Sequence, residues 1–240
     1  MIDFHTHILP DIDDGSNSTA MSLEMLRSLK EQGVTDVLLT PHFYAYKNDV
    51  QSFLENRAHS LRELVREMKK NNLEMNLYAA CETLYFDELW RIEDLKKLCI
   101  PNTNYIMLEM PFSKWNDSLL RGVENIVNEG ITPIIAHFER HIFAQRGLSR
   151  IYELIDMGAR LQTNCDAVTN IFFRGTVLSL IKKGVVVAIG TDCHDMKKRR
   201  PQYKKAINYV KSHLKPQDYE KFESRQNRII KNAEMVALEK

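Results

Sequence analysis

The chain has 240 residues, 44% of them hydrophobic and 27% charged. That balance fits a soluble globular protein with enough apolar residues for a sizeable core, and it excludes collagen, coiled coil and wholesale disorder. Thirty-three basic and 32 acidic side chains leave a net charge of +1, which points to no nucleic-acid partner. No apolar run approaches the roughly 18 residues of a membrane span.

The charge is unevenly spread. Residues 197–240 carry 13 Lys/Arg against 5 Asp/Glu, a net +8, and the remainder carries 20 against 27, a net −7. Bound cations would offset the acidic part. The basic end would attract phosphate or acidic partners, or simply form a solvated helical face. Cys81, Cys99, Cys165 and Cys193 are scattered with no CxxC pair, as expected of reduced thiols in a cytosol. The opening Met-Ile-Asp-Phe-His lacks the basic and apolar regions of a signal peptide, so a cytoplasmic location is expected.

With no repeat, low-complexity stretch or linker, residues 1–240 read as one domain. A strand at 1–5 leads to a helix at 18–32, which has a polar start at Asn17 and Ser18 and stops at Gly33. A strand at 35–40, a helix at 53–70 and strands at 75–80 and 105–110 follow. Next come a helix at 117–129, a strand at 132–137, a helix at 149–157 and a strand at 159–163. A helix at 172–183, closed by Gly184, precedes the strand at 185–190, and the basic end reads as helices at 201–213 and 217–238. This alternation implies a parallel sheet covered by helices, and seven short buried strands suggest a barrel or a barrel-like open sheet.

The ends of these strands carry the chemistry. His5-Thr6-His7 places two imidazoles on one side of the first strand end, where both can reach one metal. Thr40-Pro41-His42, Glu82, Glu109, His137 and Thr191-Asp192-Cys193-His194 stand at the ends of five others. Alone, each is an ordinary polar residue. Together they occupy the edge at which barrels and open parallel sheets bind ligands. Imidazole plus carboxylate without cysteine suits Mn²⁺, Fe or Zn²⁺, and the number of donors suits two or three ions. A multinuclear site of this kind hydrolyses phosphate esters or amides. Arg140 and Arg199 favour phosphate, which a guanidinium clamps through two hydrogen bonds. Cys193 and Arg199 also form Cys-x₅-Arg, the spacing of cysteine-nucleophile phosphatases. The intervening loop has no glycine for close backbone approach, and Asp192 would raise the thiol pKa. Phe43, Tyr44, Tyr46, Phe112 and Trp115 near strand ends could receive an aromatic ring or be loop packing.

His5-Thr-His7, Asp13-Asp14-Gly15, Thr40-Pro-His42, Cys81-Glu82, Glu109, Ala136-His137-Phe-Glu-Arg140 and Thr191-Asp-Cys-His194 resemble, in order, the motifs of the PHP (polymerase and histidinol phosphatase) superfamily. More narrowly the chain resembles the manganese-dependent bacterial protein-tyrosine phosphatases of capsule and exopolysaccharide operons, the CpsB/CapC/YwqE-like group. The resemblance runs from residue 1 to about 210. It implies an α/β fold, a distorted TIM-like (β/α)7 barrel, with two to three divalent ions, Mn²⁺ first among them. It also implies His5, His7, Glu82 and Asp192 on one ion, with Glu82 bridging to a second held by Glu109 and His137. A third ion would take Asp14, His42 and His194, Asp14 being preferred to Asp11 and Asp13 for its place before Gly15. Arg140 and Arg199 would hold the phosphate, although Arg200 precedes Pro201 as the family's arginine sometimes does. The implied substrate is a phosphotyrosine-containing protein, the tail of a membrane-associated bacterial tyrosine kinase. Histidinol phosphate is the rival substrate, and a non-catalytic protein-binding PHP module the rival of another class.

Overall fold

Short β-branched runs become buried strands, and the polar-capped amphipathic stretches become the helices that cover them. In the computed structural model, residues 1–233, 235 and 236 are described. The order is β1 (Ile2–Thr6), α1 (Thr19–Glu31), β2 (Asp36–Leu39), β3 (His42–Phe43), α2 (Val50–Lys70), β4 (Asn76–Ala79), β5 (Glu82–Leu84), β6 (Tyr105–Glu109) and α3 (Asp117–Asn128). It continues with β7 (Thr132–Ile135), α4 (His141–Ala144), α5 (Ser149–Asp156), β8 (Arg160–Asn164), α6 (Cys165–Thr169), α7 (Arg174–Lys183), β9 (Val186–Gly190), α8 (Lys204–His213) and α9 (Pro216–Lys231). Side-chain caps set several helix starts. Ser18 accepts from the Met21 N–H, and Asn116 from the Leu119 N–H. Asp49 accepts from the Ser52 N–H and starts α2 three residues earlier than the apolar pattern suggests.

The strands hydrogen-bond as two parallel sheets, β1-β2-β4 and β3-β5-β6-β7-β8-β9, rather than as one closed ladder. The strands expected at 35–40 and 75–80 form as β2 and β4, and the chain adds β3 and β5 just beyond their ends. The ladder breaks at Thr40-Pro41, where Pro41 has no N–H to give, and at Ala80-Cys81. Pairing persists across the break, because the Ala80 N–H donates to the Leu39 carbonyl and the Glu82 N–H to the Pro41 carbonyl. At the other edge β1 meets the end of β9. Thr6 and Cys193 form a parallel bridge, and the Asp192 N–H donates to the His5 carbonyl at 2.7 Å.

The basic end is not merely a solvated face. Phe222 and Ile229 of α9 are buried in the core, and Tyr203 donates to the Ile2 carbonyl. The Gln32 side chain accepts from the Tyr203 N–H and donates to the Pro201 carbonyl, fixing the start of α8. The helix expected over 217–238 ends at Lys231, after which Met235 bridges antiparallel to Tyr78. Residues 234, 237 and 238 of that expectation lie outside the described residues.

The contact between β1 and β9 depends on Gly190. A Cβ there would stand 2.4 Å from the His5 Cβ and 2.7 Å from its backbone nitrogen. Gly190→Ala is expected to cost about 1–3 kcal/mol by overpacking and to lower Tm by roughly 5 °C. Gly175→Ala, in α7 with nothing within 4 Å, should not lower Tm. Thermal unfolding followed by circular dichroism compares the two, and an unchanged Gly190→Ala protein would contradict this packing.

Candidate metal centre

The eight acids and histidines expected at strand ends converge, and Asp14 of the first loop joins them. Glu82, at the start of β5 and in register with His42 of β3, is the hub. Its carboxylate lies 3.0 Å from His5 Nε2, 3.3 Å from His7 Nε2, 3.2 Å from His42 Nδ1 and 2.8 Å from His137 Nε2. Asp192 Oδ1 is 3.6 and 3.5 Å from the same atoms of His5 and His7. Glu109 approaches His42 and His137 at 3.7 and 3.9 Å. Asp14 joins His42 and His194 at 3.4 and 3.5 Å. Among the described residues, three sets of donor atoms lie within 4.8 Å of one another: His7, Asp14, His42 and His194; His5, His7 and Asp192; His42, Glu82 and Glu109.

This donor set fits divalent cations. His5 Nε2 and His7 Nε2 face each other at 3.1 Å, an arrangement that one cation between them satisfies. Three imidazoles donate Nδ1–H away from the centre: His7 to Asp13 at 2.7 Å, His5 to Gln162 at 3.2 Å and His194 to the Asp192 carbonyl at 3.0 Å. Their Nε2 lone pairs are thereby aimed inward, as metal ligation requires. His42 Nδ1 and His194 Nε2 are buried without a hydrogen bond. The field also favours positive charge. Burial pushes the Glu82 carboxyl up, yet the His5, His137 and His7 imidazoles hold it well below the usual range. Burial pulls His7 down, yet Asp13 and Glu82 raise it to about 10. Burial and the charge of Glu82 push Glu109 up to about 7. The acids that favour this proton on His7 would equally favour a divalent cation in its place, whose binding would release the proton.

The structure separates the three aspartates of the first loop. Asp14 faces the centre with its side chain largely open to solvent. Asp13 instead orients His7 and accepts from the His42 and Gly15 N–H groups. Gly15 is required because a Cβ would stand 2.2 Å from the His7 carbonyl oxygen. His137 (φ 31°) and Asp192 (φ 53°) both lie in the left-handed region, a strained conformation that surrounding contacts must hold. Gln162 on β8 accepts from the His137 N–H at 2.7 Å as well as from His5, and its own amide donates to Asn164, which donates to Asp192 at 2.9 Å. Asp3 holds the same turn through the Thr191 N–H and hydroxyl. Gln162, Asn164 and Asp3 carry no motif of their own in the sequence, and Asp13 stands in the Asp13-Asp14-Gly15 motif without a role assigned to it. Their signal was only their position on strands or loops beside a candidate ligand.

Arg140 and Arg199 reach the centre, but not clear of its acids. Their guanidiniums pair with Asp192 at 2.5 and 2.7 Å, each keeping further N–H donors free. Asp195 accepts from the Lys197, Lys198 and Arg199 N–H groups and so turns the loop. Arg199 then enters the site, while Arg200 makes no such contact with Asp192. Cys193 is fully buried, and burial raises its thiol well above the ordinary value, which opposes a thiolate nucleophile. Of the aromatic candidates, Phe43 and Trp115 are buried packing, whereas Tyr46 and Phe112 are exposed. Tyr44 stacks on His42 at 4.9 Å.

A family model for capsular polysaccharide synthesis, CpsB/CapC, matches residues 1–234. The chain belongs to the CpsB/CapC family. It is 29% identical to tyrosine-protein phosphatase YwqE of Bacillus subtilis (strain 168), over 86% of this chain and 82% of the relative. It is 31% identical to tyrosine-protein phosphatase CpsB of Streptococcus pneumoniae, over 88% and 89%. It superposes with a TM-score of 0.83, at 25% identity and over 98% of this chain and 96% of the other, on a crystal structure from a study of YwqE and CpsB of those two organisms, described as unique metal-dependent tyrosine phosphatases.

Two predictions follow for this CpsB/CapC chain. Gln162→Leu leaves the His5 and His137 donors unpaired, so metal affinity should fall about 10–100-fold with the fold intact. Calorimetric titration with Mn²⁺ reads this, and wild-type affinity would reduce Gln162 to packing. The second concerns Glu139, which burial pushes up to about 7 while its carboxylate accepts from the Thr163 hydroxyl and the Asn164 N–H. The folded chain keeps this proton where the unfolded chain has lost it, so the contribution to stability falls as pH rises from about 4.5 through 7. Glu139→Gln preserves both contacts without the charge. Its stability advantage should grow from nearly nothing at pH 4.5 to as much as about 3 kcal/mol at pH 8, read as denaturation midpoints across that range.

Proposed function

We propose that this chain is a metal-dependent protein-tyrosine phosphatase acting on a phosphotyrosine-containing protein, the tail of a membrane-associated bacterial tyrosine kinase in capsule or exopolysaccharide synthesis. The observation that carries the reading is the cluster of nine donors with two guanidiniums at its edge. In this reading His5, His7, Glu82 and Asp192 hold one divalent ion, Glu82, Glu109 and His137 a second, and Asp14, His42 and His194 a third. Mn²⁺ suits this mixture of imidazole and carboxylate, as do Fe and Zn²⁺. The two sheets are taken as arcs of one distorted (β/α)7 barrel, a single PHP domain over residues 1–240. The pairing across both strand breaks and the Thr6–Cys193 bridge support this. The free, buried cysteines fit a cytoplasmic location, and among the described residues no helix is long and apolar enough to cross a membrane.

The bound ions would supply Lewis acidity and an acidified water. Arg140 and Arg199, anchored on Asp192, present their remaining N–H groups to the phosphoryl oxygens and hold them as negative charge shifts in the transition state. Gln162 and Asn164 keep His5, His137 and Asp192 in place. Water adds to phosphorus, the P–O bond to the ring breaks, and the phenolate departs with a pKa near 10, which places little demand on an acid. The exposed Phe112 and Tyr46 beside the centre suit an aromatic substrate.

EDTA should abolish hydrolysis and Mn²⁺ restore it, while Cys193→Ser keeps most activity. Arg140→Ala and Arg199→Ala should lower kcat/KM for p-nitrophenyl phosphate by about 10²–10³, with Arg200→Ala within a few-fold of wild type. Metal content should be measured alongside, because both active arginines touch Asp192. A phosphotyrosine peptide should be preferred to histidinol phosphate. The opposite preference would replace the substrate class, and a metal-loaded but inactive Cys193→Ser enzyme would sink the hydrolytic scheme.

A further inference from the structure

A cavity of about 290 Å³ adjoins the centre, and beyond Arg140, Asp192, Arg199 and Asn164 its lining is used by no step above. Arg140, Asp192 and Arg199 form its boundary with the metal site, and no histidine lines it. Its outer wall includes Lys198, Arg200, Gln202 and Lys205, facing Asp166 and Thr169. Asp192 is already engaged by Arg140 and Arg199. Lys198, Arg200 and Lys205 have no ion-pair partner among the described residues, leaving Asp166 as the acid to set against three cations. The wall is also fixed in place: Asp195 caps the loop that carries Lys198, and Gln32 accepts from the Tyr203 and Lys204 N–H groups at the start of α8.

Such a cavity attracts an anion. In the function proposed above, the scissile phosphoryl would lie between the metal ligands and the two arginines. A simple aryl phosphate has no second anionic group to place here, whereas a peptide has. We propose that the cavity is a second anion subsite. It takes a carboxylate or a phosphate carried by the substrate close to the phosphotyrosine, and so selects acidic or multiply phosphorylated segments. The proposal rests on the phosphotyrosine reading. It also gives a local role to part of the positive charge concentrated in residues 197–240.

Binding of unreactive peptides separates the two ideas. Three peptides carry a difluoromethylphosphonate in place of the phosphotyrosine phosphate. One has neutral flanks, one has flanking aspartates, and one has a second phosphonate-bearing tyrosine. Their affinities for the Mn²⁺-loaded chain are read by fluorescence anisotropy at low and high salt. Both anionic peptides should bind about tenfold tighter than the neutral one, as two or three partly exposed charge pairs allow, and salt should erode the difference. A larger gain for the second phosphonate identifies phosphate as the preferred group, and a larger gain for aspartate identifies carboxylate. The Lys198→Gln/Lys205→Gln double variant should lose the preference while keeping the neutral peptide's Kd and the turnover of p-nitrophenyl phosphate. If the neutral peptide binds but the anionic peptides bind no tighter, or the double variant keeps the preference, the subsite is overturned and the phosphatase reading stands. If none of the three peptides binds, both fall.

Discussion

A carboxylate with almost no access to water governs this structure. Glu82 is 1% exposed and lies within 3.3 Å of nitrogen atoms from four imidazoles. An ionised carboxylate in such a place is tolerated only when positive charge surrounds it. Imidazolium protons or divalent cations can both supply that charge, and nine donors from six strand ends and the first loop are more than protons alone require. The break at Pro41 serves the same end. Beyond it β3 pairs with β5, which pairs with β6, and His42 and Glu82 stand in register.

Ligands on separate strand ends are useful only if their geometry is held. The two with left-handed backbones, His137 and Asp192, are tied by the Gln162 and Asn164 side chains of β8 and by the His5 carbonyl of β1. Asp13 does similar work for His7 from the first loop. The result is a rigid, buried floor formed by His5, His7, Glu82 and His137, opening towards Asp14, Arg140 and Arg199. That asymmetry suits hydrolysis, in which the metals must stay fixed while substrate and water exchange.

Charge is divided along the chain as well as across the site. All nine donors belong to the acidic part, and the basic end closes the fold with Phe222 and Ile229 in the core. The loop leading into that end carries Arg199 to Asp192 and sets Lys198 and Arg200 on the wall of the neighbouring cavity. One segment thus seals the domain and shapes the approach of an anionic substrate.

The sequence by itself determined the βα alternation and the strand-end positions of eight of the nine candidate ligands. These are local properties: short β-branched runs, helix caps and polar residues at fixed distances from them. It preferred Asp14 to Asp13 only through the family resemblance and left Arg199 against Arg200 open. It could not determine that β3 and β5 would follow β2 and β4 in a second sheet, because that depends on which neighbour each strand pairs with. Nor could it assign Gln162 and Asn164 to the site, since an amide on a buried strand has many possible partners. Asp13 and Asp14 are adjacent acids with the same local pattern, and only the fold turns one towards His7 Nδ1 and the other towards His42 and His194. The pairing of both arginines with Asp192, and the cavity behind them, were likewise decided by tertiary structure, because they join side chains from β7, β8 and β9 loops that become neighbours only once the sheet has formed.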